Sequence, residues 1–511
     1  MNPESTTDRF VRFGIGLVVR RGRREHFNRP AASWVAVLLV TLTVTALSPT
    51  AAARQTDTTT VRIVSFTADS LVVRMIDGNE VREMLNPRLE EGTTTVRAAR
   101  LVDRGGGQLF FYDRVRIVDE ADTLTADQVL YDRNTKIGRA TGRVRLGDGE
   151  VVVTAPEGDY DAREKRADFR TGVTLVDSVS VLTSLGGSYW TEEKRAEFAG
   201  DVRLTGDSLD VASDSLTYRR ETRTSTARGR VVIRRITADG VNWIFGYRAF
   251  NEEDSGRSTV DGDVLLFTIR TDSTEADTLM LSAGHLRSTR TDSLDRYVAS
   301  DSVRLWRDEF AAVADSVDFL RFAAVDSTDG RSVSRLLGSP VTWFRSTQID
   351  GDTLVVVGRG EAIDTLLVNS DAFVARMDSS SGRLQQLRGS RLVGVFRSDS
   401  LRSVEVFGRA EALHWMAKTE ERDGGALKVS ADRIRFTMDG DKVTDLGVYD
   451  GVEGAWYAAD LVSQASDLEG LAWAPGRRPD PQPFRERFAR EACRLDPEAC
   501  APEKNDLPPD P

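Results

Sequence analysis

The sequence predicts an all-β protein in which one pair of strands is repeated along the chain. Four tyrosines lie at intervals of 29 residues: Tyr131, Tyr160, Tyr189 and Tyr218. Five positions after each tyrosine there is a basic residue: Lys136, Lys165, Lys194 and Arg223. A fixed period of this length is typical of a supersecondary unit whose copies bury their apolar faces against one another. The period therefore predicts an elongated array rather than a compact domain with a single pocket.

Each copy also contains a glycine that is followed within two residues by a valine. The glycines lie 11 or 12 positions after the tyrosines, at Gly142, Gly172, Gly200 and Gly229. The valines are Val144, Val173, Val202 and Val231. Around two of these pairs, in residues 140–146 and 198–204, apolar or small residues alternate with polar ones. Such period-two alternation indicates half-buried strands, and polar turns such as 132–135 predict that each copy is a β-hairpin.

The second half of the chain repeats the same pattern of strands and turns with less regular spacing. A fifth tyrosine, Tyr247, keeps the 29-residue interval. Its Gly-x-Val element, at 262–264, lies further from the tyrosine than in the earlier copies, which indicates an insertion. Further strand patterns separated by Gly, Asp and Ser turns follow, for example at 338–343 and 351–357. These patterns predict a second, divergent array of strands.

The N-terminal segment is predicted to be an export signal. A cluster of arginines within residues 20–24 precedes an apolar run at 31–47, and three alanines follow at 51–53. A basic region, an apolar core and a small-residue cleavage site are the parts of a secretory signal peptide. Because about 17 apolar residues are at the lower limit for a membrane span, an uncleaved anchor is the alternative.

These observations define the expected organisation of the chain. Residues 109–117 look like a degenerate first copy of the repeat, and 485–494 are expected to form a short helix. The predicted segments are a signal peptide at 1–53, a lead-in with first strands at 54–109, a repeat domain at 110–235, a second array at 236–475 and a Pro-rich tail at 476–511.

The charge of the chain excludes one large class of partners. The formal net charge is −11, and removal of the predicted leader, which carries a net +4, leaves about −15. Nucleic acid is therefore not expected as a partner, because binding to its phosphates requires a basic surface.

The only two cysteines, Cys493 and Cys500, lie in the tail. In an exported protein this spacing suits a local disulfide that closes a small loop. The competing interpretation, a metal or redox pair, lacks a third ligand and the usual spacing.

The sequence contains no recognisable catalytic machinery. Beyond the leader the only histidines are His285 and His414, and neither has the spacing of a metal ligand. There is no phosphate-binding loop, nucleophile elbow or HExxH motif. We therefore predict a protein that is not an enzyme, with no catalytic residues, no metal and no cofactor. Two other classes stay open: a β-helix enzyme acting on polysaccharide, and a structural or adhesive envelope repeat, for which both strand faces should be polar.

Two segments of the repeat region resemble a known family. The segments Asp122–Asp132 and Val181–Tyr189, with the pattern Tyr-turn-Lys-x-Ala-x-Phe-x-Gly-x-Val, look like the organic-solvent-tolerance A (OstA) family. This periplasmic lipopolysaccharide-transport family includes the LptA bridge protein. The segment Leu468–Pro479 resembles the end of longer OstA-like proteins. The chain departs from the family in being at least twice the length of a simple bridge, and it has no room for the large membrane barrel of the outer-membrane partner.

The resemblance implies an extended, open β-jellyroll, called a β-taco, here in two consecutive arrays. The implied cargo is lipopolysaccharide, whose lipid A acyl chains lie against the apolar inner face while the sugars remain in water. The implied location is the periplasm, next to the outer membrane. The implied partners are transport proteins of the inner and outer membrane, or a second copy, joined by edge-strand pairing.

The residues predicted to line the groove are those on the apolar side of the clean repeats. They are Val129, Tyr131, Val144, Leu146, Tyr160, Phe169, Val173, Leu175, Tyr189, Phe198, Val202, Leu204, Tyr218 and Val231. Each valine or phenylalanine could equally be plain core. The tyrosines could equally lie at the turns with their hydroxyl groups in water.

Overall fold

The structure, a computed structural model, describes residues 65–496 apart from short stretches at strand connections. These stretches are 92, 120–121, 148–150, 162, 177–179, 191–192, 238–239, 271–276, 308–309, 324–329, 360–361, 379–381, 398–399, 417–423 and 440–441. The predicted signal peptide, 1–53, lies outside the described residues.

The chain is all-β, as predicted, and divides into two compact units at Val231 and Val232. Neighbouring strands pair antiparallel through consecutive hairpins. The strands up to the division are β1 (Ser65–Thr67), β2 (Ser70–Ile76), β3 (Asn79–Leu85), β4 (Arg88–Glu91), β5 (Thr94–Arg97), β6 (Arg100–Asp103), β7 (Gln108–Asp119), β8 (Asp122–Asp132), β9 (Ile137–Gly147), β10 (Val152–Asp161), β11 (Arg166–Arg170), β12 (Val173–Val176), β13 (Ser180–Ser184), β14 (Gly186–Trp190), β15 (Arg195–Gly206), β16 (Leu209–Arg219) and β17 (Thr224–Thr237), in which the division falls.

The second unit continues the same pattern with longer strands. They are β18 (Gly240–Glu252), β19 (Arg257–Arg270), β20 (Asp277–Arg290), β21 (Leu294–Arg307), β22 (Phe310–Phe322), β23 (Arg331–Leu337), β24 (Val341–Phe344), β25 (Thr347–Asp350), β26 (Thr353–Arg359), β27 (Ala362–Asp378), β28 (Arg383–Arg397), β29 (Ser400–Met416), β30 (Gly425–Asp439), β31 (Lys442–Tyr449) and β32 (Glu453–Ala458). Short 3-10 helices at Val462–Gln464 and Pro475–Arg477 and the helix α1 (Gln482–Ala492) follow.

A recurring bend, within a long strand or between two consecutive short strands, gives the repeat its jellyroll-like form. At each bend two consecutive residues have left-handed backbone angles, and in the first unit these pairs recur every 29 residues, at 113–114, 142–143, 171–172, 200–201 and 229–230. Between the pairs Gln128–Thr141 and Thr125–Arg145, β9 has one residue more than β8, which defines a β-bulge. The predicted degenerate copy at 109–117 therefore has the same bend as the others.

The second unit keeps the bend although its repeat length changes. Left-handed pairs occur at 262–263, 301–302, 338–339, 370–371 and 408–409. Tyr247 is consequently not equivalent to the four earlier tyrosines: it is 67% exposed and lies beside the bend residue Gly262 rather than at a turn. Its 29-residue interval is coincidental, because the longer strands of the second unit shift the turn to a later position.

The turns explain the basic residue that follows each tyrosine. In the first complete turn the Asp132 side chain accepts hydrogen bonds from the backbone N–H groups of Asn134 (2.8 Å) and Thr135 (3.1 Å). The two hydrogen bonds hold the pKa of the Asp132 carboxyl below its usual range, and the one from Thr135 has the larger effect. Lys136 then closes the turn with a left-handed backbone angle of 65°. The next three basic positions of the repeat have left-handed angles as well.

The core of the second unit is built by both walls of its bent strands. Two rows of aligned residues lie one on each side of the bends, and all of them except the buried Thr342 belong to a single hydrophobic cluster. One row is Ile244, Leu266, Leu281, Leu305, Ala312, Thr342, Ile349, Val374, Leu387, Ala412 and Val429. The other is Val260, Leu286, Ala299, Val317, Leu336, Leu354, Val368, Leu392, Val406, Ile434 and Val448. Nearly all residues of both rows are buried, so the inner surface of this unit is largely covered.

We predict that the bend depends on left-handed backbone geometry, with opposite effects at two equivalent positions. Gly142 has φ of +73°, and an added Cβ would lie 2.5 Å from the Asp127 carboxylate. Gly142→Ala should therefore lower the free energy of unfolding by about 1–2 kcal/mol or more. Asp113 has φ of 57° at the equivalent exposed position, so Asp113→Gly should raise it by up to about 1 kcal/mol.

Urea denaturation of the two variants and of the parent protein measures both effects. Loss of stability in Asp113→Gly of the size seen in Gly142→Ala would contradict the proposed role of the left-handed geometry.

A candidate apolar groove in the first unit

An unbroken row of aliphatic residues crosses ten strands of the first unit. Each residue is the register partner of the next: Leu89, Val96, Ile117, Leu124, Leu146, Val153, Leu175, Leu182, Leu204 and Val211. Since paired strands lie about 4.8 Å apart, this aliphatic row extends for about 40 Å. It runs perpendicular to the strands and thus along the direction in which the repeats are stacked.

The repeated tyrosines form a second row on the other side of the bends. In this tyrosine ladder each tyrosine is separated from the next by one small residue of the intervening strand. The ladder reads Tyr131, Gly138, Tyr160, Ala167, Tyr189, Ala196 and Tyr218. The small residues leave room for the rings, and consecutive tyrosines are about 10 Å apart because two strand spacings separate them.

Phenylalanines and glycines alternate in the row next to the ladder. Gly158, Phe169, Gly187 and Phe198 are successive register partners. A Cβ at Gly158 would lie 3.1 Å from the Phe169 ring, and one at Gly187 would lie 2.9 Å from the Phe198 ring. The glycines are therefore the positions at which the rings lie flat against the neighbouring strand.

The inner face has two parts: a closed corner next to the bends, where side chains are buried, and an open mouth further from the bends, where they are half-buried. Next to the bends Val173 and Val202 are each 1% exposed. Further from the bends the side chains are half-buried, on one wall Tyr160, Tyr189 and Tyr218 and on the other Val153, Leu175 and Leu204. At the start of the array Tyr131 is 0% exposed, so the ladder is closed there and becomes accessible from β10 onward. We call the half-buried part, between β10 and β16, the groove.

The structure places the predicted groove residues on this inner face in two classes. Those that are buried are Val129, Tyr131, Val144, Leu146, Phe169, Val173, Phe198, Val202 and Val231. Those that are half-buried, and so able to meet a ligand without rearrangement, are Tyr160, Leu175, Tyr189, Leu204 and Tyr218. Sequence reasoning missed Val153, Leu182 and Val211, which lie in the partner strand of each hairpin. Reading the period-two alternation backward from each turn would have found them.

The opposite face of the same strands is polar and ion-paired. The Arg139 guanidinium lies 2.8 Å from the Asp159 carboxylate, and Arg166 lies 2.9 Å from Asp168. A depression of about 770 Å³ is lined largely by polar residues such as Ser188 and Thr217, and Phe169 and Phe198 also contribute to its lining.

Within the described residues there is no cluster of three His, Cys, Asp or Glu side chains that could hold a metal ion. No helix in that part of the chain is long and apolar enough to cross a membrane. Cys493 is disulfide-bonded, and its predicted partner Cys500 lies outside the described residues, so their pairing stays a prediction.

We predict that the glycine beneath each phenylalanine ring cannot be enlarged. Gly187→Ala should lower the free energy of unfolding by about 1–3 kcal/mol, because the new methyl group would displace the Phe198 ring. The matched control is Gly186→Ala on the opposite face of β14, where the nearest atom is the Phe169 carbonyl oxygen at 3.3 Å. Urea denaturation should show a smaller loss for the control. Equal losses would mean that strand flexibility, not the ring contact, requires glycine.

One family comparison covers the groove. A family described as OstA-like protein matches residues 107–214, a segment that begins just before β7 and ends within β16. No curated protein matches the chain. The match covers the first three clean copies of the repeat and nearly all of the groove, while the fourth copy, which begins at Tyr218, lies beyond it. Residues 107–214 therefore form an OstA-like segment, in agreement with the resemblance found in the sequence.

Proposed function

We propose that the first unit binds acyl chains of lipid A and shields them from water during lipopolysaccharide transport through the periplasm. The observation that carries the proposal is the aliphatic row, which is continuous across ten strands and faces the tyrosine ladder across a half-buried mouth. The OstA-like segment supports it, because that family is a lipopolysaccharide-transport group.

The energetics of acyl chains favour this kind of carrier. Burial of one methylene group contributes about 0.8 kcal/mol, so a 14-carbon chain loses roughly 10 kcal/mol on entering water. A row of similar aliphatic sites every 4.8 Å lets such a chain advance by small steps without leaving the apolar surface. Transport of this kind requires binding but no covalent chemistry.

We assign the carriage of lipid to the first unit alone. In the second unit nearly all residues of the two inner rows are buried, and Val368, Val406 and Ile434 are 0% exposed, whereas Leu175 and Leu204 of the aliphatic row in the first unit are half-buried. An acyl chain could enter there only by separating the two walls. The second unit therefore acts as a rigid spacer or docking element.

Edge-strand pairing is our proposal for how partners attach. Among the described strands β2 pairs only with β3. Its Val73 is 53% exposed and its Met75 69% exposed. An apolar strand with one unpaired side is a suitable edge for another jellyroll-like sheet to extend, whether it belongs to a transport partner or to a second copy.

Photocrosslinking in living cells tests the cargo and the groove together. A photoreactive residue replaces Leu204 at the mouth of the groove, Phe198 nearer its corner, or Arg203 on the polar outer face. We expect lipopolysaccharide adducts at 204 and 198 and none at 203, because only the inner face is apolar. A fourth variant at Val406 should give no adduct, since the second unit is closed.

Each outcome has a definite meaning, provided that the variants are exported and folded. Absence of lipid adducts at both 204 and 198 would contradict the transport proposal and favour a structural envelope repeat. An adduct at 406 would contradict the assignment of carriage to the first unit while leaving lipid transport itself intact.

A further inference from the structure

The outer face of the second unit is apolar, unlike that of the first. Next to the inner row, and pointing the opposite way, successive register partners are Trp243, Phe267, Met280, Trp306, Ala311 and Trp343. The row continues through Gln348, Ala375, Gln386 and Leu413. We call these residues the outer stripe. The first unit has the same kind of bent strand with a polar outer face, so the fold itself does not require an apolar stripe.

The C-terminal segment 462–496, here called the strap, lies along the outer stripe in reverse strand order. It begins at β30, where the Lys428 ammonium donates to the Ser466 carbonyl oxygen at 3.1 Å. Further along, the Arg485 guanidinium lies 5.5 Å from the Trp306 ring centroid in β21. The Phe488 ring then stacks on Phe267 of β19, with centroids 4.5 Å apart. The strap therefore passes over most strands of the unit.

Two buried glutamines hold the strap by its backbone. Gln348, 1% exposed, donates to the Ala472 carbonyl oxygen at 2.8 Å and accepts from the Ala474 N–H at 2.9 Å. Gln386, 3% exposed, accepts from the Leu468 N–H at 2.8 Å and donates to the Asp467 carboxylate. Both amides thus use a donor and an acceptor on the strap.

This pairing identifies the chemical class of ligand that the stripe fits. Within the sheet Gln348 also donates to Asp350 and Gln386 to the Leu384 carbonyl oxygen, so an acyl chain in place of the strap would leave the two amide oxygens without partners. A buried acceptor without a partner costs about 1–3 kcal/mol. An extended polypeptide supplies N–H and C=O groups at the required positions, and its apolar side chains fill the spaces between. In the strap these include Leu468, 2% exposed, and Phe484, 8% exposed.

We propose that the outer stripe is a polypeptide-binding site and that the strap is its tethered ligand. The strap recognises the stripe through the two glutamine side chains and the aromatic residues, and it does not depend on the covalent connection to β32. The tether raises the local concentration of the ligand, so the site is occupied in the intact chain. This proposal does not depend on lipid binding by the first unit.

The test uses the full chain with a protease recognition sequence inserted between the exposed residues Asp460 and Leu461. After cleavage, we expect the C-terminal fragment to remain bound through gel filtration, and an excess of synthetic peptide 462–496 to displace it. In the double variant Gln348→Leu, Gln386→Leu the fragment should dissociate at least about tenfold faster, because each lost pair of hydrogen bonds is worth about 1 kcal/mol or more.

The matched control is Gln128→Leu, which changes an exposed strand glutamine in the first unit. Retention in the control and the parent, with rapid loss in the double variant, supports the proposal. Immediate loss of the fragment from the cleaved parent, or equal retention in the double variant, overturns it. Circular dichroism of the uncleaved double variant checks that its β-structure is intact. If the β-structure of the double variant is disrupted, the test uses Trp306→Ser instead, which removes one aromatic contact at the surface of the sheet. The same faster dissociation of the fragment is expected for this variant.

Discussion

Alignment of one apolar side chain from every strand is the constraint on which the rest of this structure depends. Because side chains alternate between the two faces of a strand, a shift of one residue in any pair would move a whole strand's apolar set into water. The bends make the alignment possible in a sheet that also folds back on itself. Each bend adds one residue to one strand of a pair, so the inner face remains continuous on both walls.

The residues in the aligned rows differ between the two units, and so does their burial. In the second unit nearly all residues of the two inner rows are buried, although the rows include residues as small as Ala299 and Ala412. In the first unit, small residues alternate with tyrosine and phenylalanine, and the side chains furthest from the bends stay half-buried. The same backbone repeat therefore occurs with a more closed inner surface in one unit and a more open one in the other.

The outer faces differ for a related reason. Ion pairs such as Arg139 with Asp159 leave the outer face of the first unit in water. In the second unit the outer stripe is apolar, and the chain itself covers it with the strap. One sheet is thus buried on both faces, which suits a rigid element, whereas the other keeps an accessible inner surface, which suits a carrier.

The sequence by itself determined the class of fold, the repeat and most of the inner face of the first unit. These properties follow from local rules: period-two alternation, polar turns and residues suited to left-handed geometry recur every 29 residues. The sequence also indicated the resemblance of residues 107–214 to OstA-like proteins, because the repeated pattern is carried by residues close together in the chain. Tyr247 was misassigned because an interval in the sequence does not reveal how long the strands are.

Only the tertiary structure decided which apolar residues face a groove, which face a core and which face the strap. Phe169 and Leu204 have similar sequence contexts, yet one is buried at the corner and the other half-buried at the mouth. Trp243 and Ile244 are neighbours, yet Trp243 contacts the distant Phe488 of the strap whereas Ile244 lies in the inner cluster. Burial is a property of which distant surfaces meet, and strand periodicity carries information about faces but none about what covers them.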